Sequence, residues 1–273
     1  MLLGIDIGGT TINFGLVSDR KITGTSSVPS FNKDATLPET IEYLSHRISE
    51  VITPEVESIG IGVPTLVDPA RGIVYNAANI PSWKEVHLRD ELEKRFGIPV
   101  AVNNDANCFA LGAAAVADAL NDVMVGITLG TGLGIGIVVD GRLMCGANCG
   151  AGELCSVPYE GDEFESFCSQ KFFVSQGWDS RRAVAATEAS DPGALSFFEQ
   201  FGHHLGKLLS LVMYAYDPSC IVFGGGISNT FPCFEEPMKR TLRENYIYPH
   251  ALERLRILAM PQNDIALLGA SLL

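Results

Sequence analysis

The chain has 273 residues, 47% of them hydrophobic, with 32 acidic against 19 basic side chains and a net charge of −13. This length supports two domains of ordinary size, and the acidic balance, with Lys and Arg scattered, excludes the basic footprint of a nucleic-acid binder. No stretch reaches the roughly 18–20 apolar residues of a membrane span, and MLLGIDIGG enters a strand without a basic leader, so a cytoplasmic protein without a membrane partner is expected.

Residues 2–28 read as three strands, LLGIDIG, INFGLVS and KITGTSSV, the first two flanking a Gly/Thr turn. A helix is expected over 39–52, with Ile41, Leu44, Ile48 and Val51 at helical spacing. SIGIGVP (58–64) is a short buried strand, and 66–84 a polar loop long enough to be functional. HLRDELEKRFG is an amphipathic helix stopped by Gly97, and PVAVNNDAN runs a strand into a helix start with Asp105 at the junction. In the second half, strands at 123–128 and 134–139 flank another Gly/Thr turn, followed by a loop-rich insert over 144–170. Helix signals fill most of 186–216. CIVFGGGIS is a buried strand ending at Gly224–Gly226, and DIALLGASLL is a terminal helix too apolar to hang free, expected to dock on the first half.

GIDIGGTTINFGLVSDRKI and GITLGTGLGIGIVVDGRL therefore repeat one design: strand, Gly/Thr turn, strand, then a turn with Asp and a basic residue. Gly8, Gly9, Gly130, Gly132 and Gly134 lack Cβ, so the backbone can take positive φ and bring its N–H groups close to an anion. Thr10, Thr11, Thr128 and Thr131 add hydroxyls. Either turn alone reads equally as an ordinary hairpin; the pair, each opening half of the chain, points to a duplicated fold holding a polyphosphate. No GxGxxG context and no GxxxxGK[ST] is present.

Cysteines 145, 149, 155 and 168 share one stretch, but their spacing repeats no CxxC pair and none of His46, His87, His203, His204 or His250 lies near them in sequence. Reduced, buried thiols are expected rather than a structural zinc. Asp105 admits two readings from residue type alone, a helix N-cap or a general base flanked by Asn104 and Asn107. Asp6 is either a strand-end turn residue or an acid facing phosphates.

DIGGTT (6–11), NIPSW (79–83), NNDAN (103–107), LGTGLGIG (129–136), GAGEL (150–154), YDPSCIVFGGGIS (216–228) and the terminal GASLL, taken in this order, resemble the ROK family of sugar kinases and repressors within the actin-like ATPase superfamily. The resemblance implies a duplicated, ribonuclease H-like α/β fold in two domains, here 1–104 plus 264–273 and 105–263, with an interdomain cleft. It implies ATP and Mg²⁺ as cofactors and a hexose or hexosamine as substrate, phosphorylated at the 6-hydroxyl, with Asp105 as catalytic base. Sugar contacts then fall on Asn79, Asn104, Asp105, Glu153 and Glu165; for the two glutamates a solvated surface acid is the alternative. Nucleotide contacts fall on Gly8, Gly9, Thr10, Thr11, Gly130, Thr131, Gly132 and Gly225, and Asp6 would meet Mg²⁺ through water. A homodimer is expected, with no nucleic-acid or membrane partner.

Two departures stand out. GELCS and VPYEGDEFESF replace the family's GELGH and its CxCGxxGCxE zinc knuckle, so Ser156 stands where a histidine normally touches sugar and zinc, and no zinc is expected. Thr11 replaces a frequent lysine. Besides a kinase, the family admits a repressor, which the acidic charge opposes, and a noncatalytic sugar sensor, which Ser156 and the missing knuckle would suit.

Overall fold

In the computed structural model, which describes residues 1–147, 149–262 and 264–273, the alternating apolar residues of the N-terminus build a sheet. β1 (Leu2–Ile7) and β2 (Thr11–Ser18) pair antiparallel, Ile5 opposite Phe14 and Ile7 opposite Ile12, and β3 (Lys21–Pro29) extends the edge. α1 (Leu37–Val51) buries Ile41, Leu44 and Ile48, the stripe legible in its sequence. β4 (Ser58–Val63) then pairs parallel with β1. The expected loop over 66–84 contains structure of its own: β5 (Leu66–Asp68) and β6 (Ile73–Tyr75) form a small antiparallel sheet with β7 (Glu85–His87). α2 (Leu88–Phe96) stops at Gly97, whose φ of 68° suits glycine at a helix end. β8 (Val100–Asn104) pairs parallel with β4, and α3 (Asp105–Val116) leaves its end, giving the order β3-β2-β1-β4-β8.

β9 (Val123–Leu129) and β10 (Leu133–Val139) repeat the antiparallel hairpin, and β11 (Arg142–Leu143) follows. The insert is less irregular than its sequence implies. A 3-10 turn over Glu153–Ser156 leads to the tiny hairpin β12 (Pro158–Tyr159) and β13 (Asp162–Glu163), then to α4 (Phe164–Cys168) and α5 (Gln170–Ser175). The helix signals over 186–216 belong to two helices, α6 (Ser180–Glu188) and α7 (Pro192–Tyr216). The break is local chemistry: Pro192 opens α7 and Asp191 caps it, its Oδ1 accepting from the Ala194 N–H at 2.9 Å. β14 (Cys220–Gly224) pairs parallel with β9; α8 (Phe231–Asn245), α9 (Pro249–Arg254), β15 (Arg256–Ala259) and α10 (Asp264–Ser271) complete the chain. β15 pairs parallel with β14, so this sheet, like the first, is a hairpin whose inner strand is continued by parallel strands.

The described residues divide into two compact units, Met1–Asp118 with Arg142–Ala151 and the C-terminal segment, and Ala119–Gly141 with Gly152–Gln262. The first unit thus runs past the expected boundary at 104 and keeps α3, because α3 packs on α10: a Cβ on Gly112 would run into the Ile265 carbonyl. Gly60 likewise lets β4 meet the Ala270 carbonyl, a backbone contact that a methyl group would displace. Ile265, Leu267 and Leu268 are buried there, each contributing about 1.5–3 kcal/mol. α10 docks on the first unit as its sequence predicts. Of the expected boundary at 263–264, residue 263 lies outside the described residues. No helix among the described residues is long and apolar enough to cross a membrane.

Candidate active site

In the first unit, parallel strands β1, β4 and β8 end together, Asp6 opposite Gly62 and Gly62 opposite Asn103. The carboxyl ends of parallel strands are where open α/β sheets bind ligands. Asn104, last in β8, caps α3: its Oδ1 accepts from the N–H groups of Ala106 (2.9 Å) and Asn107 (3.4 Å), and its Nδ2 donates to the Thr65 carbonyl at 3.1 Å. Buried Asn103 accepts from the Asn104 N–H at 2.8 Å and from Asn107 Nδ2 at 2.9 Å. Asp105 therefore begins the helix rather than capping it, where the helix end favours a negative charge; its Oδ1 accepts from the Ala106 N–H at 2.8 Å.

Asp6 belongs to the same strand ends. Burial pushes its carboxyl above the ordinary value, and a 3.5 Å hydrogen bond from Asn13 Nδ2 offsets part of that. Asn13 is itself fixed by Ser27, whose Oγ donates to its Oδ1 at 2.8 Å. The buried Cys108 thiol is raised by burial and then by the charges of Asp6 and Asp105, so both acids bear on one point. The first Gly/Thr turn is tied by Gly8 N–H to the Thr11 carbonyl (2.8 Å) and by Ser30, which donates to the Thr10 and Gly8 carbonyls. Asn79 lies against this turn: a Cβ on Gly9 would stand 3.2 Å from its Nδ2. Its loop is anchored by the fully buried Trp83, whose Nε1 donates to Thr40 Oγ1 at 2.8 Å, a buried donor whose loss of partner would cost about 1–3 kcal/mol.

In the second unit the β9–β10 turn is closed by Gly130 N–H to the Gly132 carbonyl at 3.0 Å. Gly225 follows β14 with φ 79° and its backbone against the Leu129 carbonyl. Gly8, Gly9, Gly130, Gly132 and Gly134 correct the sequence reading: none takes a left-handed φ. What Gly9 and Gly132 supply is close approach: a Cβ would stand 3.2 Å from Asn79 Nδ2 at the first and 2.7 Å from Glu165 Oε2 at the second. A cavity of about 720 Å³, lined by Gly130, Arg181, Glu188, Gly226, Asn229 and Thr230 among others, opens beside the turn, within the range of small-ligand pockets. Arg181, Glu188 and Asn229 were invisible in the sequence, being polar helix and turn residues without a motif; the triple glycine at 224–226 was the available pointer.

The glutamates of the insert are in this unit too. Glu153, exposed, accepts from Cys155 Sγ at 3.4 Å, and burial pushes that thiol up to about 11. Glu165 does more than its sequence suggests: its Oε2 accepts from the Leu133 N–H at 3.1 Å, and its Oε1 pairs with Lys171 Nζ at 2.5 Å. The shortened insert is held by aromatic rings, Tyr159 stacking on Phe164 at 4.2 Å while its hydroxyl meets His204 Nδ1 at 2.9 Å. Among the described residues, no group of three or more His, Cys, Asp or Glu side chains is placed to hold a metal ion.

The ROK family sequence profile matches residues 2–273. The chain is 30% identical to the glucokinase of Thermotoga maritima, covering 99% of this chain and 96% of that protein. It is 31% identical to the N-acetyl-D-glucosamine kinase of Vibrio cholerae, over 88% of this chain and 89% of the relative. A crystal structure of a ROK family glucokinase from Streptomyces griseus in complex with glucose and AMPPNP superposes with a TM-score of 0.79 at 27% identity, covering 99% of this chain and 97% of that one.

Proposed function

Because this chain belongs to the ROK family, we propose that it is an ATP-dependent sugar kinase acting on a hexose or hexosamine, with Asp105 as general base. The observation that carries the assignment of the base is the division of labour at the head of α3. Asn104 performs the capping at 2.9 Å, so Asp105 beside it at the strand ends is not needed as the N-cap, which supports a role in chemistry. Asp105 takes the proton of the attacking hydroxyl as its oxygen bonds to the γ-phosphorus and the bond to ADP breaks. The 6-hydroxyl, primary and least hindered, is the acceptor.

Asn79, Asn104 and Glu153 offer the paired donors and acceptors that a polyhydroxylated ligand needs. The hydroxyls of Thr10, Thr11 and Thr131 and those N–H groups of the two turns not spent in closing them, with Gly225, receive phosphates, and the cavity beside Gly130 takes the nucleoside. Asp6 fits a magnesium ion: a carboxylate raised by burial, with a carboxamide as its hydrogen-bond partner, gains from a nearby cation. Bound through water there, magnesium would neutralise phosphate charge. Membership of the family is the ground on which the same proposal includes a homodimer in the cytoplasm.

Relatives that act on glucose and on N-acetyl-D-glucosamine define the substrate test. ATP turnover is measured with glucose, N-acetylglucosamine, mannose, N-acetylmannosamine, fructose and allose. The expected result is one or two sugars preferred at least about tenfold, the scale on which unmade hydrogen bonds discriminate. Turnover with none of them, alongside sugar binding, would make the protein a sensor.

A further inference from the structure

Neither Gly/Thr turn carries Lys or Arg: residues 8–11 are Gly-Gly-Thr-Thr and 130–134 Gly-Thr-Gly-Leu-Gly. Phosphoryl transfer needs positive charge at the phosphates, yet an acidic side chain reaches the second turn. Glu165 Oε2 accepts from the Leu133 N–H at 3.1 Å, and a Cβ on Gly132 would fall 2.7 Å from that oxygen. A bare carboxylate there would occupy a donor of the turn and repel a polyphosphate.

The carboxylate is not bare. Lys171 Nζ lies 2.5 Å from Glu165 Oε1 and 3.5 Å from Glu163 Oε1. The Glu165 hydrogen bond first, then the charges of both acids, hold the ammonium above its ordinary value. The segment is keyed to the turn: Gln170 N–H donates to the Gly130 carbonyl at 2.9 Å, and Ser169 Oγ donates to the Glu165 carbonyl at 2.7 Å while accepting from the Lys171 N–H at 3.1 Å. Half of the Lys171 side chain, 50%, is exposed.

We propose that Lys171 is a nucleotide-positioning residue, whose ammonium neutralises Glu165 and thereby lets the second Gly/Thr turn receive the phosphates of ATP. This rests on the reading of that turn as part of the nucleotide site. Unit charges a few ångströms apart at a half-exposed site alter an affinity by about five- to thirtyfold.

The test is calorimetric titration of a nonhydrolysable ATP analogue, without sugar, into the full chain and into Lys171→Met, Lys171→Arg, Glu165→Gln and the Glu165→Gln/Lys171→Met double variant. Lys171→Met should weaken binding about five- to thirtyfold, and Lys171→Arg should stay within about threefold because the charge is kept. With Glu165→Gln present the carboxylate on the turn is gone and only Glu163 remains beside the ammonium, so adding Lys171→Met should change affinity less than about twofold, a non-additivity that a lysine acting independently of Glu165 would not produce. Unchanged binding in Lys171→Met, or a loss that persists in full beside Glu165→Gln, overturns the proposal while leaving the nucleotide site standing. A full chain that binds no analogue overturns the nucleotide reading itself.

Discussion

Asp105 shows how one neighbour changes what a residue is for. Residue type alone leaves an aspartate at a strand-to-helix junction divided between cap and base; the structure gives the cap to Asn104, at 2.9 Å from the Ala106 N–H. Asp105→Asn keeps the size and the local hydrogen bonding but cannot accept a proton. It should lower kcat by about 10²–10⁴ while nucleotide and sugar affinities move only a few-fold; near-normal turnover by steady-state kinetics would place the base elsewhere. Glu165 marks the limit of legibility at this scale. Its sequence neighbourhood points to sugar, and nothing in that neighbourhood says that its carboxylate reaches Leu133 or that Lys171 closes on it, because both contacts depend on the tight junction of α4 with α5 at Ser169.

Elements with strong periodicity were legible and those made by local chemistry were not. β1, β2 and α1 announce themselves through alternation and the Ile41–Leu44–Ile48 stripe. α8 was not read because it carries Pro237 in its interior, and the β12–β13 hairpin has two residues a side, too short for any period. That hairpin brings Tyr159 to His204 at 2.9 Å, and burial, aided by His203, pushes the His204 imidazole down to about 4. The unfolded chain takes up that proton near its ordinary value of 6.5, so the folded state loses stability as pH falls from 6.5 towards 4 and no further below that. A shift of this size corresponds to about 3 kcal/mol, and the partial exposure of the ring reduces it to the order of 1 kcal/mol. Melting curves at pH 7 and pH 5 should show the full chain losing more stability than His204→Phe; equal losses would mean that this histidine titrates normally.

At the scale of the molecule, the twin Gly/Thr hairpins correctly signalled a duplication, since each unit builds the same hairpin and continues it with parallel strands. The sequence of α3 cannot show that Gly112 is shaped to receive α10 from about 150 residues further on. A sugar kinase should spend ATP on sugar and not on water, because the acceptor completes the reacting arrangement. The decisive measurement quantifies ADP and sugar phosphate together, with and without the preferred hexose. The account predicts equal amounts of the two products with sugar and ADP formation at least about tenfold slower without it; ADP released at the same rate in both conditions, with no sugar phosphate formed, would contradict it.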